Sequence, residues 1–186
     1  MAHSGDGCYP SRAMSARLKL TPRTRFLVVF ATIIVSLYVV VAIQPVNDRV
    51  VVPFTGLIAK ATGGLLRLAG EQVEVRGVEV RGSGASIAIE NGCNGLEAII
   101  VLAAAVCAFP APWKSRLLAL LAGSIGLQLL NLVRTTSLYL FLKYRPSLFE
   151  VLHTSVWQTI LVVAAVVFFL VWSSKQRAGV ETKSAA

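Results

Sequence analysis

The chain has 186 residues, of which 55% are hydrophobic, a mean hydropathy of +0.70 and a formal net charge of +9. Apolar content at this level excludes an ordinary soluble domain and predicts an integral membrane protein. The charge does not indicate nucleic acid as a partner, because the basic residues flank the apolar runs: Arg12, Arg17, Lys19, Arg23 and Arg25 precede the first, Lys114 and Arg116 separate two later ones, and Lys175, Arg177 and Lys183 follow the last. That is the positive-inside distribution, which places these segments and both termini in the cytoplasm.

Residues 1–25 read as a polar, basic, disordered cytoplasmic arm containing Cys8. Residues 26–43, Phe26 to Ile43, form the first transmembrane helix; the stretch is longer than the apolar region of a signal peptide and no small-residue cleavage site follows it. Residues 44–92 are expected outside the membrane. Within them, Val50 to Ala69 is apolar but carries Pro53, Lys60, Gly63, Gly64 and Arg67, and is expected to be an amphipathic helix lying at the membrane surface. If it spanned, Lys114 and Arg116 would fall outside, against the charge rule. Glu71 to Glu90 alternates in type, and Val73, Val75, Val78 and Val80 with interleaved Glu and Arg predict short strands in a small β-hairpin or two.

Residues 93–172 are expected to form a three-helix membrane core, with spans from about Leu96 to Phe109, Leu117 to Leu142 and Thr154 to Trp172, and residues 173–186 a cytoplasmic tail. Trp113, Trp157 and Trp172 fall near the expected interfaces, as an aromatic belt does. The expected fold is an all-α polytopic membrane protein with about four transmembrane helices, an external amphipathic helix and a small β-hairpin. No internal repeat is visible.

Three polar residues fall at matching depths on the last three spans. Cys93 lies 21 residues before Lys114, Arg134 lies 18 residues after Arg116, and His153 lies 22 residues before Lys175. At 1.5 Å per residue each is about 27–33 Å from its basic anchor, close to the thickness of the hydrocarbon core, so all three should surface at one boundary of the bilayer. Each has an ordinary reading when taken alone. A free cysteine is usually a packed core residue, an interfacial arginine can be an anchor that snorkels, and a lone interfacial histidine is commonly just amphipathic. The surroundings favour chemistry. Gly92 and Gly95 flank Cys93 and permit a tight turn, and the helix that follows presents free N–H groups and a positive dipole end, which predicts a thiol pKa below its free value. Asn131 lies one turn before Arg134 on the same face, and an arginine inside an apolar helix is costly enough to suggest a function. His153 can move protons near neutral pH.

Glu97, one turn beyond Cys93, either orients a catalytic group or pairs with Arg134. Lys143, Tyr144 and Arg145 read as an external basic loop that could touch lipid headgroups or substrate. Cys93 and Cys107 are about 21 Å apart along one helix, so they cannot form a disulfide. No Cys/His spacing suggests a metal and no cofactor is implied.

The ordered series Asn91-Gly92-Cys93-Asn94-Gly95, then Asn131-Leu132-Val133-Arg134, then His153 at the head of the last span resembles the exosortase/archaeosortase family. The run GCNGLEAIIVLAAAVCAFPAPWKSRL is most similar to the short exosortase H branch. The resemblance covers about residues 45–172, and the chain has fewer N-terminal spans than the larger members. It implies a membrane-embedded cysteine transpeptidase or protease of the bacterial inner membrane, with its active site on the periplasmic side. It implies Cys93 as nucleophile, Arg134 as stabiliser of thiolate or oxyanion, and His153 as general acid and base; Asn94, Glu97 and Asn131 are expected beside them as supporting residues from their place in the sequence. The implied substrates are exported proteins with a C-terminal motif, one transmembrane helix and a basic cluster (a PEP-CTERM-like tail). The implied acceptor is a lipid, an amine or water, in contact with membrane lipids. Two other classes compete: a non-enzymatic assembly or scaffold subunit, and, ranked last for want of intramembrane charge, a transporter fragment.

Overall fold

A computed structural model describes residues 21–184, with side chains described as far as Arg177. The expected basic arm up to residue 20, with Cys8, and residues 185–186 of the expected tail lie outside the described residues. The elements are α1 (Pro22–Ala42), α2 (Gln44–Val46), a π-helical turn (Asn47–Val51), α3 (Val52–Leu68), β1 (Val73–Arg76), β2 (Glu79–Gly82), β3 (Ala85–Ala88), α4 (Leu96–Ala108), α5 (Trp113–Tyr144), α6 (Pro146–Val151), a second π-helical turn (Leu152–Val156) and α7 (Trp157–Ser184).

Two hydrophobic cores are stacked along α5. The first joins α4, α5 and α7 through Ala98, Leu102, Val106, Ala119, Leu127, Leu161 and Ala165. Around it the usual rule for surfaces is inverted. Leu118, Leu121, Ile125, Leu129 and Val133 of α5 recur at helical spacing and are all exposed, as are Leu27, Val35 and Val39 of α1 and Val163, Val167 and Leu170 of α7. Stripes of this kind suit hydrocarbon rather than water, and the protein is a multi-pass membrane protein. α4 is the inner helix of this layer and touches α1, α5 and α7. Small residues let the helices approach closely; a Cβ on Gly123 would lie 2.8 Å from Phe168 and would also collide with Leu102. Chain punctuation follows from proline. Thr21 caps α1 ahead of Pro22, accepting from the Thr24 N–H at 3.2 Å, and both α4 and α5 stop on the residue before a proline, at Phe109 and Arg145.

The second core holds Ile58, Ala59, Leu66, Val73, Val80, Ile89 and Tyr139. It packs α3 and the sheet on the far half of α5. The sheet is an antiparallel meander in the order β1-β2-β3, with Val75 opposite Val80 and Val80 opposite Ile87, so one face presents a β-branched ladder to the helices. Val78, expected in a strand, lies in the tight turn with Gly77 (φ +60°), and its carbonyl accepts from the Ile89 N–H at 3.0 Å. A three-stranded sheet this short needs a platform, and α3 and α5 provide it. Gly63 of α3 leaves room for Val75, and Gly82 of β2 leaves room for the Tyr139 hydroxyl.

Among the described residues four helices are long and apolar enough to cross a membrane, but they are not the four read from the sequence. They are Pro22–Ala42, Gln44–Leu68, Trp113–Tyr144 and Pro146–Arg177, while the expected second span, α4, is a shorter apolar helix of 13 residues. At 1.5 Å per residue α4 is about 20 Å long, short of the roughly 30 Å of hydrocarbon. α3 also differs from expectation. Asn94 ties Thr55 to Gln128, Thr62 bonds Thr135, and Leu66 joins the cluster of Tyr139. These contacts climb both helices in the same order, so α3 stands alongside α5 instead of lying flat on a membrane surface. Its amphipathic face was legible; that α5 and the sheet cover that face was not.

Candidate active site

The seam between the two cores is polar. The segment Glu90–Gly95 crosses it, entering from β3 and leaving into α4. Gly92 (φ +92°) and Gly95 (φ +76°) both occupy the left-handed region that other residues avoid. Gly95 is doubly constrained, because a Cβ there would sit 2.9 Å from the Asn131 amide carbon and 2.9 Å from Gln128 Nε2. Asn94 is buried and pins the segment. Its Nδ2 donates to Thr55 Oγ1 at 3.0 Å, its Oδ1 accepts from the Leu96 N–H at 3.0 Å, and its carbonyl accepts from Gln128 Nε2 at 3.2 Å. Asn94 thus ties the start of α4, just before its N-cap residue Gly95, to α3 and α5. The Cys93 N–H donates to the Glu90 carbonyl at 2.9 Å, closing the turn.

On this turn Cys93 Sγ lies 2.9 Å from His153 Nε2, and Arg134 Nη2 donates to the same sulfur at 3.7 Å. Arg134 Nη1 donates to the Gly92 carbonyl at 3.1 Å. The guanidinium therefore spans sulfur and backbone from one fork, which a lysine could not reproduce. Arg134 is 2% exposed. An arginine so enclosed is tolerated only with partners, and its partners here are the sulfur and the turn that carries it. His153 is in the π-helical turn that precedes α7, and its ring stacks on Phe149 with centroids 5.4 Å apart and planes 13° apart, which fixes its orientation. Sulfur, guanidinium and imidazole come from three separate parts of the chain and meet at this turn, although the 21 residues from Cys93 to Lys114 do not form one continuous helix.

The electrostatics differ from expectation. Burial pushes the Cys93 thiol above its ordinary range; Arg134 pulls it down, and Glu90 and Glu97 push it up again. The dipole end of α4 does not outweigh desolvation, because the sulfur is half-buried at a seam with low-dielectric walls. Burial and the two carboxylates thus favour the protonated thiol, and Arg134 is placed to favour charge on sulfur when it forms.

The remaining expected residues divide. Asn131 is fully buried beneath Gly95, and its amide makes no hydrogen bond to a protein group. Glu97 does not pair with Arg134, and no ion pair or hydrogen bond to it is formed among the described residues. It lines two small cavities with Tyr38 and Gly92, one of about 120 Å³ and one of about 170 Å³. Lys143 and Tyr144 belong to the end of α5 rather than to a loop, and both hold Glu71, at 2.5 Å and 2.7 Å. Gln128, Thr55 and Tyr38 complete the site without having been singled out in the sequence. Gln128 was findable, since Gln128, Asn131 and Thr135 form one polar stripe at helical spacing; Thr55 and Tyr38 reach the site only through the tertiary fold. Among the described residues no three His, Cys, Asp or Glu side chains converge where they could hold a metal ion.

Residues 14–172 match the family model described as Transmembrane exosortase (Exosortase_EpsH). No curated protein and no solved structure matches the chain. The match covers most of the sequence and both structural layers, and the chain belongs to the transmembrane exosortase family.

Proposed function

We propose that this transmembrane exosortase is a cysteine transpeptidase or protease that cuts C-terminal sorting tails from exported proteins. The observation that carries the reading is the contact of Cys93 Sγ with His153 Nε2 at 2.9 Å beside the Arg134 fork. A thiol, a base within hydrogen-bond reach and a fixed cation are the parts that acyl transfer through sulfur needs.

The proposed cycle uses each group in turn. His153 Nε2 takes the thiol proton as Cys93 Sγ attacks the scissile carbonyl. The negative charge that develops lies within reach of Arg134, in a seam where little water screens it. The imidazolium then protonates the leaving amine, the carbon–nitrogen bond breaks, and the substrate remains as a thioester on Cys93. Water or an amine attacks the thioester, His153 accepts the attacking group's proton, and the proton returns to sulfur as the carbon–sulfur bond breaks. Burial of the thiol fits this order, since thiolate is required only when substrate arrives. Asn94 acts as a positioning residue that holds the turn, and Asn131 supports it from below.

The substrate is an exported protein whose tail carries a recognition motif, a transmembrane helix and a basic cluster. The helix would lie beside the membrane layer and bring the motif to the depth of Cys93. The positive-inside pattern supports cytoplasmic termini and a site on the periplasmic side of the bacterial inner membrane. Co-expression of a tail-bearing protein with the wild type and with Cys93→Ala tests the reading. Tail removal by the wild type and none by the alanine variant is expected; trimming by the alanine variant would overturn it.

A further inference from the structure

Glu97 is the charged group beside Cys93 that the proposed cycle leaves without a task. Its carboxylate works against the thiolate, so it is not there to activate sulfur. Nor does it cap α4, whose N-cap position is Gly95 and which has no side-chain cap hydrogen bond. An ionisable side chain at this depth without a partner is costly and marks a site for something that binds it. The 170 Å³ cavity lies between α1 and the Cys93 turn, lined on its polar side by Tyr38, Asn91, Gly92, Asn94 and Glu97. Among the described residues no basic side chain lines it, whereas Arg134 lines the neighbouring 120 Å³ cavity. The Asn91 amide N–H is already given to Asn47 Oδ1 at 3.2 Å, and the Asn94 amide N–H groups to Thr55 and Asn91. The charged group left at the cavity is the Glu97 carboxylate, with the Tyr38 hydroxyl and aromatic ring lining the same space.

We propose that Glu97 and Tyr38 form a subsite for a primary ammonium group next to Cys93. The inference rests on the reading of Cys93 as the nucleophile. The ammonium has two possible sources: an acceptor amine that attacks the thioester, or a basic side chain of the substrate next to the cut. In the first case the chemistry balances. Glu97 holds the group in place while it loses one proton to solvent and becomes a nucleophilic amine. Its nitrogen bonds the acyl carbon, its second proton passes through His153 to sulfur, and the carbon–sulfur bond breaks to leave an amide and the Cys93 thiol. A carboxylate that binds the amine would then direct the thioester toward transpeptidation rather than hydrolysis.

The subsite can be tested without turnover. Full-length protein in detergent is treated with 2-aminoethyl methanethiosulfonate, which is cationic, or its neutral 2-hydroxyethyl analogue, and modification of Cys93 is read from the mass of its peptide. In each case the sulfur attacks the reagent, forms a mixed disulfide and expels methanesulfinate. The cationic-to-neutral rate ratio is expected to fall about tenfold in Glu97→Gln and to be partly retained in Glu97→Asp. n-Propylammonium should protect Cys93 saturably in the wild type and not in Glu97→Gln, while sodium at equal ionic strength should not protect. An unchanged ratio, or protection that never saturates, overturns the subsite and leaves the nucleophile assignment standing. Loss of tail removal in Cys93→Ala is read separately and tests only that assignment. With a tail-bearing substrate, incorporation of propylamine at the new C-terminus that declines relative to hydrolysis in Glu97→Gln identifies the acceptor as the source. An unchanged product ratio with a raised KM only for substrates with a basic residue at the cut identifies the substrate side chain.

Discussion

Replacing Arg134 with glutamine removes the charge beside Cys93 and keeps a side chain of similar reach. Arg134 Nη2 lies 3.7 Å from the sulfur. Two unit charges about 4 Å apart interact by about 4 kcal/mol at the effective dielectric of ~20 suited to protein sites. At 1.36 kcal/mol per pKa unit, complete loss would raise the thiol by up to about three units. Part of the guanidinium charge is directed to the Gly92 carbonyl, so the expected rise is about one to three units. The sign follows from the neighbours, since with Arg134 gone the burial, Glu90 and Glu97 all act upward. The assay is the pH dependence of Cys93 alkylation by iodoacetamide in the full-length protein, read from the Cys93 peptide. Below the wild-type midpoint, Arg134→Gln should react about 10- to 1000-fold more slowly at fixed pH. Arg134→Lys should recover part of the shift but not tail removal, because a single ammonium cannot hold both sulfur and the Gly92 carbonyl. A midpoint that stays in place or falls in Arg134→Gln would refute the role given to this cation.

Three further outcomes follow from the layers around the site. Thr62 and Thr135 share a buried hydroxyl–hydroxyl bond of 2.7 Å, and Thr135 also donates to the Leu132 carbonyl at 3.2 Å, so Thr135→Val, which leaves the Thr62 hydroxyl unpaired, should destabilise by about 1–3 kcal/mol, and adding Thr62→Val should recover part of that; thermal unfolding in micelles reads both. Gly82→Ala would drive a methyl into the Tyr139 hydroxyl and to 2.9 Å from the Gln72 carbonyl, and should cost about 1–3 kcal/mol while loosening the sheet, seen as faster proteolysis between β1 and β3. Glu71, held below the usual carboxylate range by hydrogen bonds from Lys143 and Tyr144, contributes stability that is present above its unfolded pKa and is lost as pH falls through its folded one. Acid should therefore loosen the outer layer in the wild type more than in Glu71→Gln, as read by hydrogen exchange of β1.

Several features were legible because they are local. The spacing from basic anchors suggests one level for Cys93, Arg134 and His153, and the three side chains do meet. Gly92 and Gly95 announced a turn that a side chain cannot follow, and both take positive φ. Alternation of Val73, Val75 and Val80 gave the strands. What failed depends on tertiary surroundings. Hydropathy sees an apolar face on Val52–Leu68 but not whether lipid or protein covers it, so α3 was laid flat although Thr62 and Thr135 bind it to α5. Apolar content likewise made α4 a span, when its 13 residues make it the short inner helix of the membrane layer. A helix N-terminus suggested a lowered Cys93 pKa, while the burial that raises it comes from packing against the core of α3, the sheet and α5. The π-helical turns at Asn47–Val51 and Leu152–Val156 have no sequence signal that we can identify.

The central claim is that Cys93 becomes covalently attached to the substrate. Full-length wild-type protein and a tail-bearing substrate are mixed, quenched rapidly in acid, and digested for mass spectrometry. The account predicts a Cys93 peptide carrying the new C-terminal segment of the substrate as a thioester, released by hydroxylamine and absent in Cys93→Ala. Cleaved tails with no adduct on Cys93, or with the adduct on another residue, would contradict it.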